Sequence, residues 1–138
     1  MINELGVCVV MPAFNAAATL ERTFREIPFG TVDRVIVVDD GSDDATPAIS
    51  ERLGVETIVH DDNLGYGANQ KTCYRAALQG QQQIIIMLHP DYQYTPKLIP
   101  AMASLIGSGL YDVVLGSRIL SKGAIEGGMP RYKYVANR

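Results

Sequence analysis

The feature that most constrains the fold is an alternation of short apolar runs with longer segments of helical periodicity. Gly6–Met11, Val35–Val38 and Ile84–Leu88 are continuous apolar runs, which is typical of strands covered on both faces by helices. Val55–Val59 and Val113–Leu115 are two further predicted strands. The order β-α-β-α-β-α-β-α-β predicts an α/β domain with a mostly parallel sheet, right-handed crossovers and helices on both faces.

Four helices are predicted between these strands, and capping residues mark their ends. Asn15 is a suitable N-cap for the first helix, and Pro47 and Gly54 suit the first turn and the end of the second. The third helix is predicted from about Ala68 to Leu78. Thr95 is the predicted cap of the fourth, whose apolar residues recur at helical spacing: Leu98, Ile99, Met102, Leu105 and Ile106.

Composition excludes several classes of protein. A chain of 138 residues with 47% hydrophobic and 20% charged residues suits one globular domain. The net charge of −3 and the pI near 5.3 argue against a nucleic-acid partner. No apolar run approaches a membrane span, and no leader precedes the first strand, so a cytoplasmic location is expected. The two cysteines, Cys8 and Cys73, match no disulfide or zinc pattern and are predicted to be buried thiols.

The predicted topology selects the loops that can carry chemistry. Ligands of open parallel sheets bind outside the carboxyl ends of the strands. Four segments of the chain lie there: Pro12–Asn15, Asp39–Asp44, His60–Lys71 and His89–Gln93. We therefore expect the polar residues of these segments to converge on one edge of the sheet.

The segment VDDGSDD places two carboxylates, Asp39 and Asp40, at the end of a strand. Carboxylates at such a position can accept hydrogen bonds from a nucleobase N–H or from ribose hydroxyls. Turn formation and helix capping by Ser42, Asp43 and Asp44 is the alternative, and it explains part of the motif.

The segment NLGYGANQK contains Gly65-x-Gly67 before a predicted helix. It is not a dinucleotide fingerprint, because Gln70 stands where the third glycine is required and the loop follows the third strand rather than the first. The glycine pair still lets backbone N–H groups approach a phosphate, and Lys71 supplies a cation one turn into the helix. A solvated helix lysine is the alternative for Lys71.

The segment HPDYQ is the sharpest local signal in the chain. His89, Asp91 and Gln93 alternate, so an extended segment would project all three side chains to one side. One nitrogen and two oxygen ligands can bind a divalent cation. The alternative is that His89 and Gln93 cap a strand end and the following helix. His60 ends a strand without such neighbours and is predicted to be structural.

Taken together, VVMPAFN, VVDDGSDD, NLGYGANQK, HPDYQ and LGSR resemble the family-2 glycosyltransferases with a GT-A (Rossmann-like) fold. The closest likeness is to the branch that transfers sugars to polyprenyl (dolichyl) phosphates. The resemblance implies transfer from a UDP- or GDP-sugar to an acceptor in glycan biosynthesis, with inversion and a divalent metal. A lipid-phosphate acceptor would bring the enzyme to the membrane surface as a peripheral protein.

The resemblance also implies roles for individual residues. Asp91 and Gln93 match the Asp-x-Asp-x-Gln segment of that branch, and His89 replaces its first aspartate. That replacement predicts Mn²⁺ in preference to Mg²⁺. Asp91 and Arg118 are the implied catalytic residues, and Arg131, Lys133 and Asn137 fall near the acceptor phosphate. The implied nucleotide-binding residues are Pro12, Ala13, Phe14, Asn15, Asp39, Asp40, Gly67 and Lys71.

The chain is predicted to be one family-2 domain over residues 1–138. The nucleotide-sugar-binding part covers about 1–117, and an acceptor-side loop with the start of a helix covers about 118–138. It resembles the N-terminal part of the family's catalytic domain. A nucleotide-sugar-binding module without turnover, completed by homo-oligomerisation, is therefore the competing hypothesis. A phosphoacceptor regulatory domain is disfavoured, because its acidic pair would follow the first strand.

Overall fold

The computed structural model describes residues 2–117 and 131–132, and these residues contain a four-stranded, fully parallel sheet. The elements are β1 Val7–Ala13, α1 Leu20–Arg25, β2 Arg34–Asp39, α2 Thr46–Leu53, β3 Glu56–Val59, α3 Tyr66–Leu78, β4 Ile84–Met87, a 3₁₀ turn Pro96–Leu98 and α4 Ile99–Gly107. The strand order in the sheet is β3-β2-β1-β4. The first four predicted strands and the four predicted helices follow one another as expected, which confirms the α/β class.

The central strand β1 separates two apolar layers. Every residue of β1 is buried, and alternate side chains enter different clusters because successive side chains of a strand point to opposite faces. Val7, Val9 and Met11 pack with Leu20 of α1, while α4 contributes Ile99 to the same cluster. On the other face, the side chains of β1 and β2 pack against α3: Cys8, Val10, Ile36, Val38, Cys73, Ala76 and Ala77. Helices therefore cover both faces, as predicted.

Several predicted caps are confirmed. Pro47 lies in the first turn of α2, and Gly54 ends that helix in the left-handed conformation with φ of 65°. The Thr95 side chain accepts a hydrogen bond from the backbone N–H of Lys97 at 3.4 Å and so caps the 3₁₀ turn that leads into α4, rather than α4 itself. Cys8 and Cys73 are buried free thiols, and burial raises the pKa of Cys73 to about 12.

Two predictions about local structure were wrong. Val113–Leu115 is not a strand: Val113 is 71% and Leu115 87% exposed, and in residues 2–117 the sheet ends at β4. Three apolar residues in a row indicate strand propensity, but a strand also needs a hydrogen-bonding partner. Asn15 is not an N-cap, because α1 begins five residues later at Leu20.

No helix within the described ranges is long and apolar enough to cross a membrane.

Candidate active site

A cleft with a volume of about 280 Å³ opens where β1, β2 and β4 end. Its walls come from the loops after these strands, from the first turns of α3 and from the loop before α1. The lining residues are Pro12, Ala13, Phe14, Asn15, Ala16, Thr19, Asp40, Asn63, Tyr66, Asn69, His89, Pro90 and Asp91. All four loops selected from the topology contribute residues to these walls. We call the walls built by 39–44 and 60–69 the β2 side, and the wall built by 89–93 the β4 side.

On the β2 side, Asp40 is the centre of a hydrogen-bond network. Its carboxylate, only 2% exposed, accepts from Nδ1–H of His60 at 2.7 Å and from the backbone N–H groups of Leu64 at 3.0 Å and Gly65 at 2.9 Å. Burial by itself raises the pKa of Asp40, but the bonds from His60 and the two amides outweigh it and lower the pKa overall. The amides before α3 therefore already bind an anion, and that anion is Asp40.

The neighbouring carboxylate, Asp39, does not line the cleft. Asp39 is fully buried and accepts hydrogen bonds from the backbone N–H and the hydroxyl of Ser42. Ser42 in turn accepts from the backbone N–H of Asn15 at 2.8 Å, and the Asn15 side chain accepts from the backbone N–H of Asp43 at 3.0 Å. These bonds join the loops after β1 and β2. They hold the Asn15 backbone in the left-handed conformation, with φ of 48°.

Gly41 lets the β2 side close. Its φ is +69°, and a Cβ atom there would lie 2.9 Å from backbone atoms of Asp62 and Asn63. A side chain at this position would push apart the loops after β2 and β3.

Asn69 is a residue of the β2 side that the motifs did not predict. It is 2% exposed, and its side-chain NH₂ donates to the carbonyl oxygens of Ala13 at 3.3 Å and Val38 at 3.1 Å. It thus links the ends of β1 and β2. A sequence signal existed: Asn69 lies at i−4 from Cys73 on the buried stripe of α3, where a polar side chain needs hydrogen-bond partners.

The β4 side is a turn, so the expectation of an extended segment was wrong. Tyr92 has φ of 59°, and the backbone N–H of Gln93 donates to the Asp91 carboxylate at 3.0 Å. His89 and Asp91 line the cleft, whereas Gln93 is exposed outside it. Alternation of residues predicts a common direction only for an extended backbone, and the turn at Pro90 removes that condition.

Helix α1 holds this turn from behind. The Tyr92 hydroxyl donates to Glu26 at 2.6 Å, and the guanidinium of Arg22 lies 3.7 Å from the centre of the Tyr92 ring. The hydroxyl of Thr23 lies 3.2 Å from the carbonyl oxygen of Pro90. These contacts fix the turn that carries Asp91, yet they leave its carboxylate exposed.

Tyr66 connects the two sides of the cleft, and it is a second residue that the motifs missed. Its hydroxyl lies 3.0 Å from Nε2 of His89 and 2.7 Å from Nε2 of Gln70. Gln70 Nε2 also lies 3.1 Å from the sulfur of Met87. Burial is the main cause that raises the pKa of Tyr66, so this hydroxyl keeps its proton. Tyr66 stands between the two glycines of the motif, and that position alone gave no signal for a contact with His89.

The other implied site residues within the described part of the chain do not line the cleft. Gly67 is the second residue of α3 and Lys71 is exposed one turn further on; neither lines the cleft. Arg131 is exposed. Arg118, Lys133 and Asn137 lie outside the described residues. Among the described residues, no lysine or arginine lines the cleft.

The described residues contain no cluster of three or more histidine, cysteine or acidic side chains that could hold a metal ion. Two carboxylates of the described residues line the cleft, those of Asp40 and Asp91. The Asp40 carboxylate already accepts hydrogen bonds from His60, Leu64 and Gly65, so Asp91 is the one of the two that can bind a cation. This donor set suits a cation that would be held mainly by phosphate oxygens and by one protein carboxylate, and both Mg²⁺ and Mn²⁺ accept such oxygen ligands.

Comparison with known families decides the class of this protein. The model of the family described as "Glycosyl transferase family 2" matches residues 8–137. The chain belongs to glycosyl transferase family 2. The resemblance drawn from the motifs is thereby confirmed at the level of the family.

Named relatives within this family include transferases acting on dolichyl phosphate. The chain is 32% identical to a dolichyl-phosphate hexose transferase of Haloferax volcanii, over 95% of the chain and 54% of that protein. It is 26% identical to the UDP-N-acetylglucosamine–dolichyl-phosphate N-acetylglucosaminyltransferase of Methanococcus voltae, over 95% of the chain and 59% of that protein. The chain thus spans little more than half the length of these curated relatives.

Among solved structures, the chain is similar to glucosyl-3-phosphoglycerate synthase of Mycobacterium tuberculosis in complex with Mn²⁺, UDP and phosphoglyceric acid. The TM-score is 0.64 and the identity 25%, over 78% of this chain and 40% of the synthase. The similarity confirms the GT-A fold class for the described part of the chain.

Proposed function

We propose that the protein is the donor-binding part of a glycosyltransferase that transfers a sugar from a nucleoside diphosphate sugar to a polyprenyl phosphate. The observation that carries the proposal is the cleft at the carboxyl ends of the strands, in a family-2 chain, with the Asp91 carboxylate on its wall. The printed names of the Haloferax and Methanococcus relatives support the acceptor class.

The nucleoside is proposed to lie against Pro12–Asn15. Phe14 is 48% exposed beside the cleft and offers an apolar surface to a base, while the bonds of Asn15 with Ser42 and Asp43 keep this loop in place. UDP is favoured over GDP, because the synthase of 25% identity was solved with UDP. Asp39 acts through Ser42 rather than by direct contact, and Gly67 and Lys71 remain proposals for the rim of the site.

Asp91 is proposed to be the protein residue that would hold a divalent metal in the cleft, and Mn²⁺ is favoured because the synthase was solved with Mn²⁺ and UDP. When bound, such a cation would supply positive charge to offset the charge of the departing nucleoside diphosphate. The spacing in HPDYQ predicts that His89 and Gln93 also bind this metal. Gln93 lies outside the cleft, and His89 Nε2 already faces the Tyr66 hydroxyl.

The proposed transfer is a single displacement with inversion. An acceptor oxygen forms a bond to the anomeric carbon while the bond from that carbon to the diphosphate oxygen breaks. A lipid phosphate is already anionic and needs no general base, which agrees with a cleft whose buried carboxylate, Asp40, is fully engaged. Arg118 and Lys71 are proposed to face the leaving diphosphate, and Arg131, Lys133 and Asn137 the acceptor phosphate.

A nucleotide-sugar-binding module is the second candidate, because the chain spans little more than half the length of its named relatives. In that case the donor binds and turnover requires further residues or a second copy of the chain. If the acceptor is a polyprenyl phosphate, both the transferase and the binding module are proposed to act as peripheral proteins at the cytoplasmic face of a membrane.

A thermal-shift panel tests the donor site. UDP, GDP and their sugar conjugates are compared with Mn²⁺ and with chelator, and UDP with Mn²⁺ is expected to raise the melting temperature most. A ligand at about 100 times its Kd stabilises the folded state by about 2.7 kcal/mol. Stabilisation by none of the nucleotides would refute the donor site. Sugar transfer to polyprenyl phosphate by the purified chain then separates the enzyme from the module, which would bind without forming product.

A further inference from the structure

The orientation of the Gln70 side chain fixes the direction of a hydrogen-bond chain across the cleft. Its Nε2 lies near the sulfur of Met87 and near the hydroxyl oxygen of Tyr66. A thioether sulfur can only accept, so the group facing Met87 must be the NH₂ of the amide rather than its carbonyl oxygen. Gln70 therefore donates to Tyr66.

Tyr66 must then donate to His89. The phenol has one proton, and its oxygen already accepts from Gln70, so this proton is directed to Nε2 of His89 at 3.0 Å. A nitrogen that accepts a hydrogen bond carries no proton. In the neutral imidazole the proton consequently lies on Nδ1, which has no hydrogen-bond partner among the described residues.

We propose that Gln70 and Tyr66 are positioning residues that hold His89 as a neutral Nδ1–H donor for the diphosphate of the bound nucleotide, instead of as a metal ligand. This inference rests on the proposed donor site. It goes beyond that site because it gives His89 the role of a hydrogen-bond donor to the phosphate groups and no role as a metal ligand.

The charges around the cleft support this assignment. No lysine or arginine of the described residues lines it, so the donors that this part of the chain offers to a diphosphate inside the cleft are neutral groups. His89 lines the cleft beside Asp91. An N–H group at this position offsets the repulsion between Asp91 and the phosphates, whereas a second carboxylate would add to it. A hydrogen bond to a charged acceptor is worth about 1.5–3 kcal/mol, or roughly 10-fold to 150-fold in affinity at full strength.

The tautomer of His89 can be observed directly in the chain without ligand. The protein has two histidines, so ¹⁵N-labelled imidazole signals are assigned by loss of one set in His89→Gln. The spectra are recorded at about pH 8.5, where free histidine is neutral. The expected result for His89 is a protonated Nδ1 and an unprotonated Nε2. A protonated Nε2 would overturn the proposal.

Gln70→Glu reverses the hydrogen-bond chain. The new carboxylate can only accept, so Tyr66 donates to it and His89 must donate through Nε2–H. The tautomer is therefore expected to switch, and an unchanged tautomer would contradict the relay. Tyr74→Phe is the matched control, because Tyr74 is exposed on the same helix and does not line the cleft.

Binding experiments distinguish a phosphate donor from a metal ligand. In chelator, Tyr66→Phe is expected to weaken UDP binding by roughly threefold to tenfold, since part of the imidazole returns to the Nε2–H form. Mn²⁺ binding, followed by the EPR signal of the free ion, is expected to stay unchanged. Unchanged UDP affinity, or tighter Mn²⁺ binding to the freed Nε2, overturns the proposal. If the unmodified chain binds no nucleotide, the donor site itself fails, and the NMR result still reports on the relay.

Discussion

The two sides of the cleft are built in opposite ways. On the β2 side the carboxylates of Asp39 and Asp40 are buried and bonded within the protein, and Asn69 joins the ends of two strands. On the β4 side Asp91 is exposed, and its turn is held from behind by α1. Acidic residues at strand ends thus serve two purposes in one cleft: Asp40 organises the wall, while Asp91 is available to a ligand.

This difference predicts different consequences of mutation. Removing a buried, fully bonded group costs folding free energy, because its partners lose their bonds without access to water. Removing an exposed group leaves the fold intact and changes binding. Stability and affinity should therefore respond to opposite sides of the cleft.

The largest effect is expected from Asp40→Asn. In either orientation the amide NH₂ faces a backbone N–H, that of Leu64 or that of Gly65, which places a donor against a donor in a buried site. The free energy of unfolding is expected to fall by about 3 kcal/mol, measured by urea denaturation. Asp43→Asn, whose carboxylate is exposed on the same loop, is the control and should change little. Equal stability of the two variants would mean that the buried carboxylate of the β2 side does not stabilise the fold.

The same variant has a pH signature. The bonds to the Asp40 carboxylate lower its pKa in the folded state, despite burial, which raises it. Its stabilising contribution is therefore present above the ordinary value of about 3.9 and is lost as the pH falls through the lower, folded-state pKa. The difference in unfolding free energy between the unmodified chain and Asp40→Asn should shrink below about pH 4. A constant difference down to acid unfolding would contradict this assignment.

Asn69→Ala tests the same side without a charge. The carbonyl oxygens of Ala13 and Val38 lose their donor at a buried position, and the unfolding free energy is expected to fall by about 2 kcal/mol. Arg75→Ala on the exposed face of α3 is the control. If Asn69→Ala is as stable as that control, the link between β1 and β2 contributes nothing to the wall.

Sequence patterns predicted more of the β2 side than of the β4 side, although they missed Asn69, and the difference has a physical reason. The run Val7–Ala13 and the acidic loop after β2 depend on local chemistry, so strand order and loop placement followed from them. The contact between Tyr66 and His89 joins residues 23 positions apart and depends on how α3 sits against the sheet. The left-handed Tyr92 has no local signature such as glycine, so the turn at Pro90 was not predicted.

Asp91→Asn addresses the ligand-facing side. The exposed carboxylate makes one local hydrogen bond, to the backbone of Gln93, which the amide oxygen can also accept. The free energy of unfolding should therefore be unchanged. The affinity for UDP in the presence of Mn²⁺, measured by calorimetry, should fall at least about tenfold. In chelator the variant should bind UDP as well as or better than the unmodified chain. A marked loss of stability with unchanged affinity would reverse the roles assigned to Asp40 and Asp91.

The smallest effect on stability and affinity is expected from removing the hydrogen bond between Thr23 of α1 and the turn at Pro90. Thr23 is fully buried, and its hydroxyl lies 3.0 Å from the carbonyl oxygen of Thr19 and 3.2 Å from that of Pro90. Thr23→Val keeps the shape and leaves the Pro90 carbonyl without this donor, so the unfolding free energy should fall by about 1 kcal/mol.

Thr57→Val is the matched control, because the Thr57 hydroxyl in β3 donates to the carbonyl of Val55 just before that strand, away from the cleft. In Thr23→Val, UDP affinity with Mn²⁺ should fall less than in Asp91→Asn, since the turn is loosened but its carboxylate remains. An affinity loss as large as that of Asp91→Asn would mean that the position of the turn, and not the charge of Asp91, determines binding. The β4 side would then be as preorganised as the β2 side, with α1 as its support.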